Sequence, residues 1–139
     1  MKGICPSCER ERDLNRVSTT ENIEVRGEAV PVKVEFLRCS ECGEEFRDPK
    51  SSYDPLDVAY REYRRRHGMV QPETLKQLRA EYDLTQQELA DLLGWGVATV
   101  SRYENGALQD EAHDKMLRLA VEPRNLLKLI QEKPAALSD

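Results

Sequence analysis

The sequence contains no run of ~18 apolar residues and no hydrophobic stretch behind Met1-Lys2-Gly3 of the kind that opens a secretory signal. These absences argue against a membrane-spanning helix and against export, so a cytoplasmic protein is expected. Aromatic residues make up only 6%, with one tryptophan and two phenylalanines, and no single large core is promised. Only two histidines occur, His67 and His113, and neither has metal-ligand spacing to the other or to a cysteine, so both are expected at the surface. Phosphate-binding loops, open metal sites and nucleophile–base pairs are all missing, and an enzyme is not expected. A surplus of positive charge is also missing: 21 Lys and Arg face 26 Asp and Glu, for a net charge of −5 in 139 residues. That balance weighs against nucleic-acid binding unless the cations are placed on one face.

What the sequence does contain begins with four cysteines in two pairs, Cys5-Pro6-Ser7-Cys8 and Cys39-Ser40-Glu41-Cys42. A C-x-x-C turn presents two sulfurs to one side of a metal, and two such turns complete the tetrahedral shell of a zinc ion. Gly43, directly after the second pair, can adopt the positive φ that wraps a backbone toward the sulfurs. A shell of four thiolates leaves no position for water, so one structural Zn2+ is expected rather than a catalytic one. Such a metal would be needed for folding, because about 50 residues with this little apolar surface do not offset their chain entropy unaided. A redox C-x-x-C pair would need a thioredoxin-like βαβ context, which is not visible, whereas iron remains compatible with four thiolates.

Between the pairs, Ile23-Glu24-Val25-Arg26 and Val30 to Leu37 alternate in the manner of strands, and Gly27-Glu28 supplies a turn. A small hairpin is expected, with Pro31 at a strand start or an edge. The stretch Arg47 to Pro55 is polar and turn-rich, as in a linker. Helical spacing of Leu56, Ala59, Tyr60 and Tyr63 then predicts a connecting helix ending at Gly68. Its last turn, Arg64-Arg65-Arg66-His67, suits either a helix C-terminus or a phosphate contact. The organisation expected is therefore α+β. A zinc-bound, β-rich module spans residues 1–50, a linker and connecting helix 51–68, and an all-α domain of about five helices 69–139.

Residues 72 to 106 carry the pattern of a helix-turn-helix. Pro72 opens a first helix with Leu75, Leu78 and Tyr82 on its apolar face. Thr85-Gln86-Gln87-Glu88 is a capping box that starts a second helix, which buries Leu89, Ala90, Leu92 and Leu93 and stops at Gly94. In a third, from about Gly96 to Glu104, Val97, Val100 and Tyr103 are expected to pack inward, while Ala98, Thr99, Arg102 and Asn105 face outward. Small, polar and cationic residues of this kind can approach base edges and phosphates in a major groove. Trp95 is expected to cover the turn between the helices.

Leu84-Thr85-Gln86-Gln87-Glu88-Leu89-Ala90, followed by Gly96-Val97 and Ser101-Arg102-Tyr103-Glu104-Asn105-Gly106, resembles the Cro/repressor-type (XRE) helix-turn-helix family. Joined to an amino-terminal four-cysteine module, it resembles the MqsA/YgiT-type antitoxins over nearly the whole chain. The resemblance implies that the zinc module binds a ribonuclease toxin, while the carboxy-terminal domain dimerises and represses the toxin operon. It implies a phosphate contact for Gln86 and a major-groove contact for Arg102, with Thr99, Ser101, Ala98 and Asn105 beside it. The antitoxin that gives the family its name has an asparagine base reader where this chain has Ala98.

Two more helices are expected, Glu111 to Ala120 and Pro123 to Glu132, with Pro134 onward frayed. Leu117, Leu119, Leu126, Leu127, Leu129 and Ile130 exceed what one face needs, and either complete the core or form a homodimer. A two-fold dimer would place two reading helices about 34 Å apart on a palindromic double-stranded DNA operator. The alternative is that the zinc module serves mainly as a protein-interaction adaptor, docking a partner along Val30 to Leu37 by edge pairing, or that the chain is a stand-alone regulator.

Overall fold

The computed structural model describes residues 1–137. The fold is α+β: an antiparallel sheet followed by six helices. The chain divides into two compact units, Met1–Ala59 and the residues from Tyr60 onward.

In the first unit, β1 (Lys2–Cys5), β2 (Arg10–Val25), β3 (Glu28–Cys39) and β4 (Glu45–Phe46) lie side by side in chain order. The hairpin expected between the cysteine pairs is present, but far longer than the apolar alternation indicates. Most of β2 is polar because β1 reaches only Arg10–Asp13 and β4 only Leu37 and Arg38. The rest of the β2–β3 hairpin is a two-stranded ribbon, which solvates a polar strand without penalty. The turn is Arg26-Gly27 rather than Gly27-Glu28, since Val25 pairs with Glu28. Both turn residues have positive φ, 50° and 84°, the geometry that matches the twist of a two-residue hairpin. Pro31 pairs with Asn22 where no third strand runs alongside, a setting that spares the ladder.

The β2–β3 register is unbroken, yet the buried face changes along it. Toward the turn Val25, Val30 and Val32 are buried, and toward the cysteines Leu14, Leu37 and Cys39 are. Because side chains alternate, these sets lie on opposite faces. The apolar pattern of β3 accordingly shifts phase between Phe36 and Leu37. The cysteine end has its own small core of Cys5, Leu14, Leu37 and Cys39, flanked by Cys8 and Phe46.

Helix α1 (Pro55–His67) begins in the first unit and ends at Gly68 in the second. It is followed by α2 (Pro72–Glu81), α3 (Gln86–Leu93), α4 (Val97–Glu104), α5 (Glu111–Ala120) and α6 (Pro123–Glu132). Leu75, Leu78, Leu84, Leu89, Ala90, Leu92, Leu93, Val100, Leu117, Ala120 and Leu126 form one core. The capping box is complete. Glu88 N donates to Thr85 Oγ1 at 3.0 Å, and Thr85 N donates to Glu88 Oε1 at 2.9 Å. Gly94 closes α3 with φ 74°, a conformation that penalises any Cβ.

Several expectations need correction. Tyr82 is the C-cap of α2 and exposed, because the helix stops at Glu81 before the aromatic turns inward. Val97 is 40% exposed: it occupies the first position of α4, ahead of the turn that carries Val100 into the core. His113 is no free surface residue, since its Nδ1 shares a 2.6 Å hydrogen bond with the Tyr103 hydroxyl and its ring lies 4.3 Å from that of Trp95. Trp95, expected over the turn, is half-buried and packs against the helical core, with its ring beside those of Tyr103 and His113. Residues Pro134–Ala136 form a 3-10 turn against α3 instead of fraying, with Ala136 and Leu137 packed on the core. The last two residues of the expected frayed tail lie outside the described residues.

Candidate functional site

The cysteine centre is built by two backbone knuckles of the same design. Glu9 N donates to Cys5 O at 2.8 Å and Gly43 N donates to Cys39 O at 3.0 Å, so each C-x-x-C closes on itself. The residue after each pair has positive φ, Glu9 at 58° and Gly43 at 74°. Gly43 takes this conformation freely, whereas Glu9 does so against its Cβ. The four sulfurs all lie within 4.8 Å of one another. Cys5 Sγ is 3.5 Å from Cys42 Sγ, and Cys8 Sγ is 3.9 Å from Cys39 Sγ. A tetrahedron with metal–sulfur bonds of about 2.3 Å has edges of about 3.8 Å, so the residues present fit a zinc ion.

The chemistry of the donors agrees with the geometry. Backbone N–H from Cys42, helped by Glu41 and opposed by burial, holds the Cys39 thiol down to about 7. Glu44 N–H favours the Cys42 thiolate, but desolvation of its sulfur among the other thiols pushes Cys42 up to about 12. Four sulfurs this close do not all ionise without a cation between them. All four are free of disulfides. Cys5, Cys8, Cys39 and Cys42 would therefore hold one structural zinc, which closes the coordination shell to water and ties β1 and β3 through their ends.

In the second unit, α4 presents Ala98, Arg102 and Asn105 to solvent, with Thr99 and Ser101 half-buried beside them. Arg102 Nη2 donates to Thr99 Oγ1 at 3.3 Å, and Asn105 Nδ2 donates to Ser101 O at 2.9 Å. Gln86, half-buried at the start of α3, donates from Nε2 to Glu104 Oε1 at 3.3 Å. The structure thus brings Arg102, Thr99, Ser101, Ala98 and Asn105 together on one helix, and engages Gln86 with the carboxylate on its buried side.

Two arrangements explain how a net acidic unit keeps this face free of carboxylates. Glu104, the only acid in α4, is 4% exposed. Arg79 grips it with Nε to Oε2 at 2.6 Å and Nη2 to Oε1 at 2.8 Å. Burial pushes the Glu104 carboxyl up, but Arg79 and Gln86 outweigh it and hold it below the ordinary range. In α3, Glu88 is committed to the capping box and Asp91 accepts from Gln87 Nε2 at 2.8 Å.

Sequence reasoning missed a second polar network. Arg64 is fully buried; its Nη2 donates to Gly106 O at 2.9 Å and Ala107 O at 3.1 Å, and its Nε to Gln109 Oε1 at 3.2 Å. This corrects the reading of Arg64 as a phosphate contact: it cannot reach DNA. Arg65 and Arg66 both pair with Glu62. Gln109 passes the network on to Asp114 Oδ1 at 3.1 Å, and Arg118 pairs with the other carboxylate oxygen at 2.8 Å. A run of three arginines gave no sign of which one turns inward.

No helix among the described residues is long and apolar enough to cross a membrane. A family model described as the antitoxin component of the bacterial toxin-antitoxin system, MqsA, matches residues 1–139. Comparison with curated proteins gives no match.

Proposed function

The chain belongs to the MqsA antitoxin family, and from that premise we propose that it is a sequence-specific DNA-binding autorepressor as well as an antitoxin. On this reading residues 1–50 form the zinc module, held by Cys5, Cys8, Cys39 and Cys42, and residues 51–68 are the linker and connecting helix. Residues 69–139 form the DNA-binding domain. A toxin partner follows from the family, and the zinc module is its docking element. Helix α4 enters the major groove with Arg102 as principal reader, Thr99, Ser101, Ala98 and Asn105 lining the contact, and Gln86 meeting phosphate. The protein acts in the cytoplasm as a homodimer, and its chemistry is binding, not catalysis.

The observation that carries the DNA-binding reading is the exposed row Ala98, Arg102 and Asn105 on a helix whose one carboxylate, Glu104, is buried and paired. A nuclease footprint on the DNA upstream of its own coding sequence tests it. Two protected half-sites one helical turn apart are expected; protection without sequence preference would contradict the proposal.

A further inference from the structure

Arg12 occupies an unusual position for a cation. It pairs with Gly3 across β1 and β2, so its side chain leaves the sheet on the face that carries Cys5, two residues along β1, and Leu14, two residues along β2. Leu14 in turn pairs with Cys39. The register also puts Arg10, opposite Cys5, and Arg16, opposite Leu37, on this face, but Arg10 is exposed and Arg16 pairs with Asp48 at 3.0 Å, whereas Arg12 is half-buried. A Cβ at Gly3 would stand 2.6 Å from Leu14 Cδ1, so this face is filled beside the arginine. Arg12 Nε is buried without a hydrogen-bond partner. A desolvated guanidinium donor is costly to leave unpaired unless an anion faces it.

We propose that Arg12 is the internal counter-ion of the metal centre, donating to the Cys8 sulfur and offsetting part of the negative charge of a zinc-bound tetrathiolate. Zinc with four thiolates carries a formal charge of about −2. The acids around the knuckles, Glu9, Glu41 and Glu44, add to that charge instead of balancing it. Lys2 is spent on Asp13 at 2.9 Å, with both side chains exposed. Arg12 is left as the balancing cation. In keeping with that position, the Cys8 sulfur faces the Arg12 guanidinium and favours its charged form against burial, with further support from Glu41 and Cys39. A positive donor at sulfur lowers the nucleophilicity of the thiolate and slows its exchange, which makes Arg12 a positioning and charge-balancing residue, not a ligand.

The inference rests on the metal reading above, and the two fail separately. Zinc content of the unsubstituted full chain, about one per chain, tests the metal centre alone. Arg12→Gln and Arg12→Lys then test the counter-ion, with two readouts: the rate of zinc transfer to a chelating dye, and the sulfur-to-metal charge-transfer band of the cobalt-substituted chain. Loss of an outer-shell partner typically weakens metal binding by about 10–100-fold, so Arg12→Gln is expected to release zinc at least about ten-fold faster. Its charge-transfer band is expected to move to longer wavelength, while Arg12→Lys, which keeps the charge, stays nearer the parent on both readouts. Metal retained by the lysine chain and lost outright by the glutamine chain would support the same conclusion. Equal behaviour of the two variants, whether both unchanged, both equally fast or both unable to hold metal, would overturn it in favour of packing by the arginine stem.

Discussion

At the scale of single residues, the proposed reading helix is made compatible with its partner by burying and pairing its one carboxylate. That carboxylate, Glu104, is gripped by Arg79 through both oxygens. A carboxyl held below its ordinary range stabilises the fold above its unfolded pKa, and that contribution is lost as pH falls through the folded value. Glu73, held to about 2 first by its hydrogen bonds with Arg61 and against burial, acts in the same direction. Stability of the helical unit is therefore expected to be level above about pH 4.5 and to fall between there and about pH 2. Urea titrations across that range check it. Glu104→Gln should lower stability by about 1–3 kcal/mol at neutral pH and flatten the acid limb; an unchanged limb would show that this pair is not linked to folding. None of these pairings was legible beforehand. A sequence gives the charge of Arg64, Arg79 and Glu104 but not the chain reversals that bring each to a partner 25 or more residues away.

At the scale of elements, what could be read was whatever depends on near neighbours in the chain. The capping box, the αL stop at Gly94 and the knuckle glycine at Gly43 are local backbone chemistry, and each is found where spacing placed it. Thr85→Ala removes one acceptor of the box and should cost the unit about 1 kcal/mol by chemical denaturation; no change would mean that the cap is redundant with packing. The helices α5 and α6 also matched, because Pro123 and the leucine periodicity punctuate them. Strand extents did not, since β2 runs sixteen residues through a mostly polar sequence that no apolar alternation marks. Its ends are set by register with β1 and β3, and so by the cysteine centre. Chelation of the metal is accordingly expected to erase the strand signal in circular dichroism while leaving the helical signal in place. Retained strand signal in a fully demetallated chain would show that the sheet folds without the staple.

At the scale of the whole molecule, the leucines of the tail divide between two duties. Leu117 and Leu126 are buried in the helical core, whereas Leu119 is 58% and Leu127 54% exposed. The exposed pair is the apolar surface available to the proposed dimer. Leu119→Asp with Leu127→Asp should shift the protein to monomers in analytical ultracentrifugation with its helical content intact, and a persistent dimer would place the interface elsewhere. Loss of the dimer should also weaken DNA binding, because a net charge of −5 leaves each protomer little electrostatic affinity of its own. The account turns on the claim that α4 reads DNA through Arg102. Fluorescence anisotropy of a labelled duplex from the upstream region, titrated with the parent chain and with Arg102→Ala at fixed salt, tests that claim most directly. The parent is expected to bind this duplex more tightly than a scrambled one, and Arg102→Ala to lose about 1–3 kcal/mol of the specific affinity with its circular dichroism unchanged. Equal binding by the parent and the variant would contradict it.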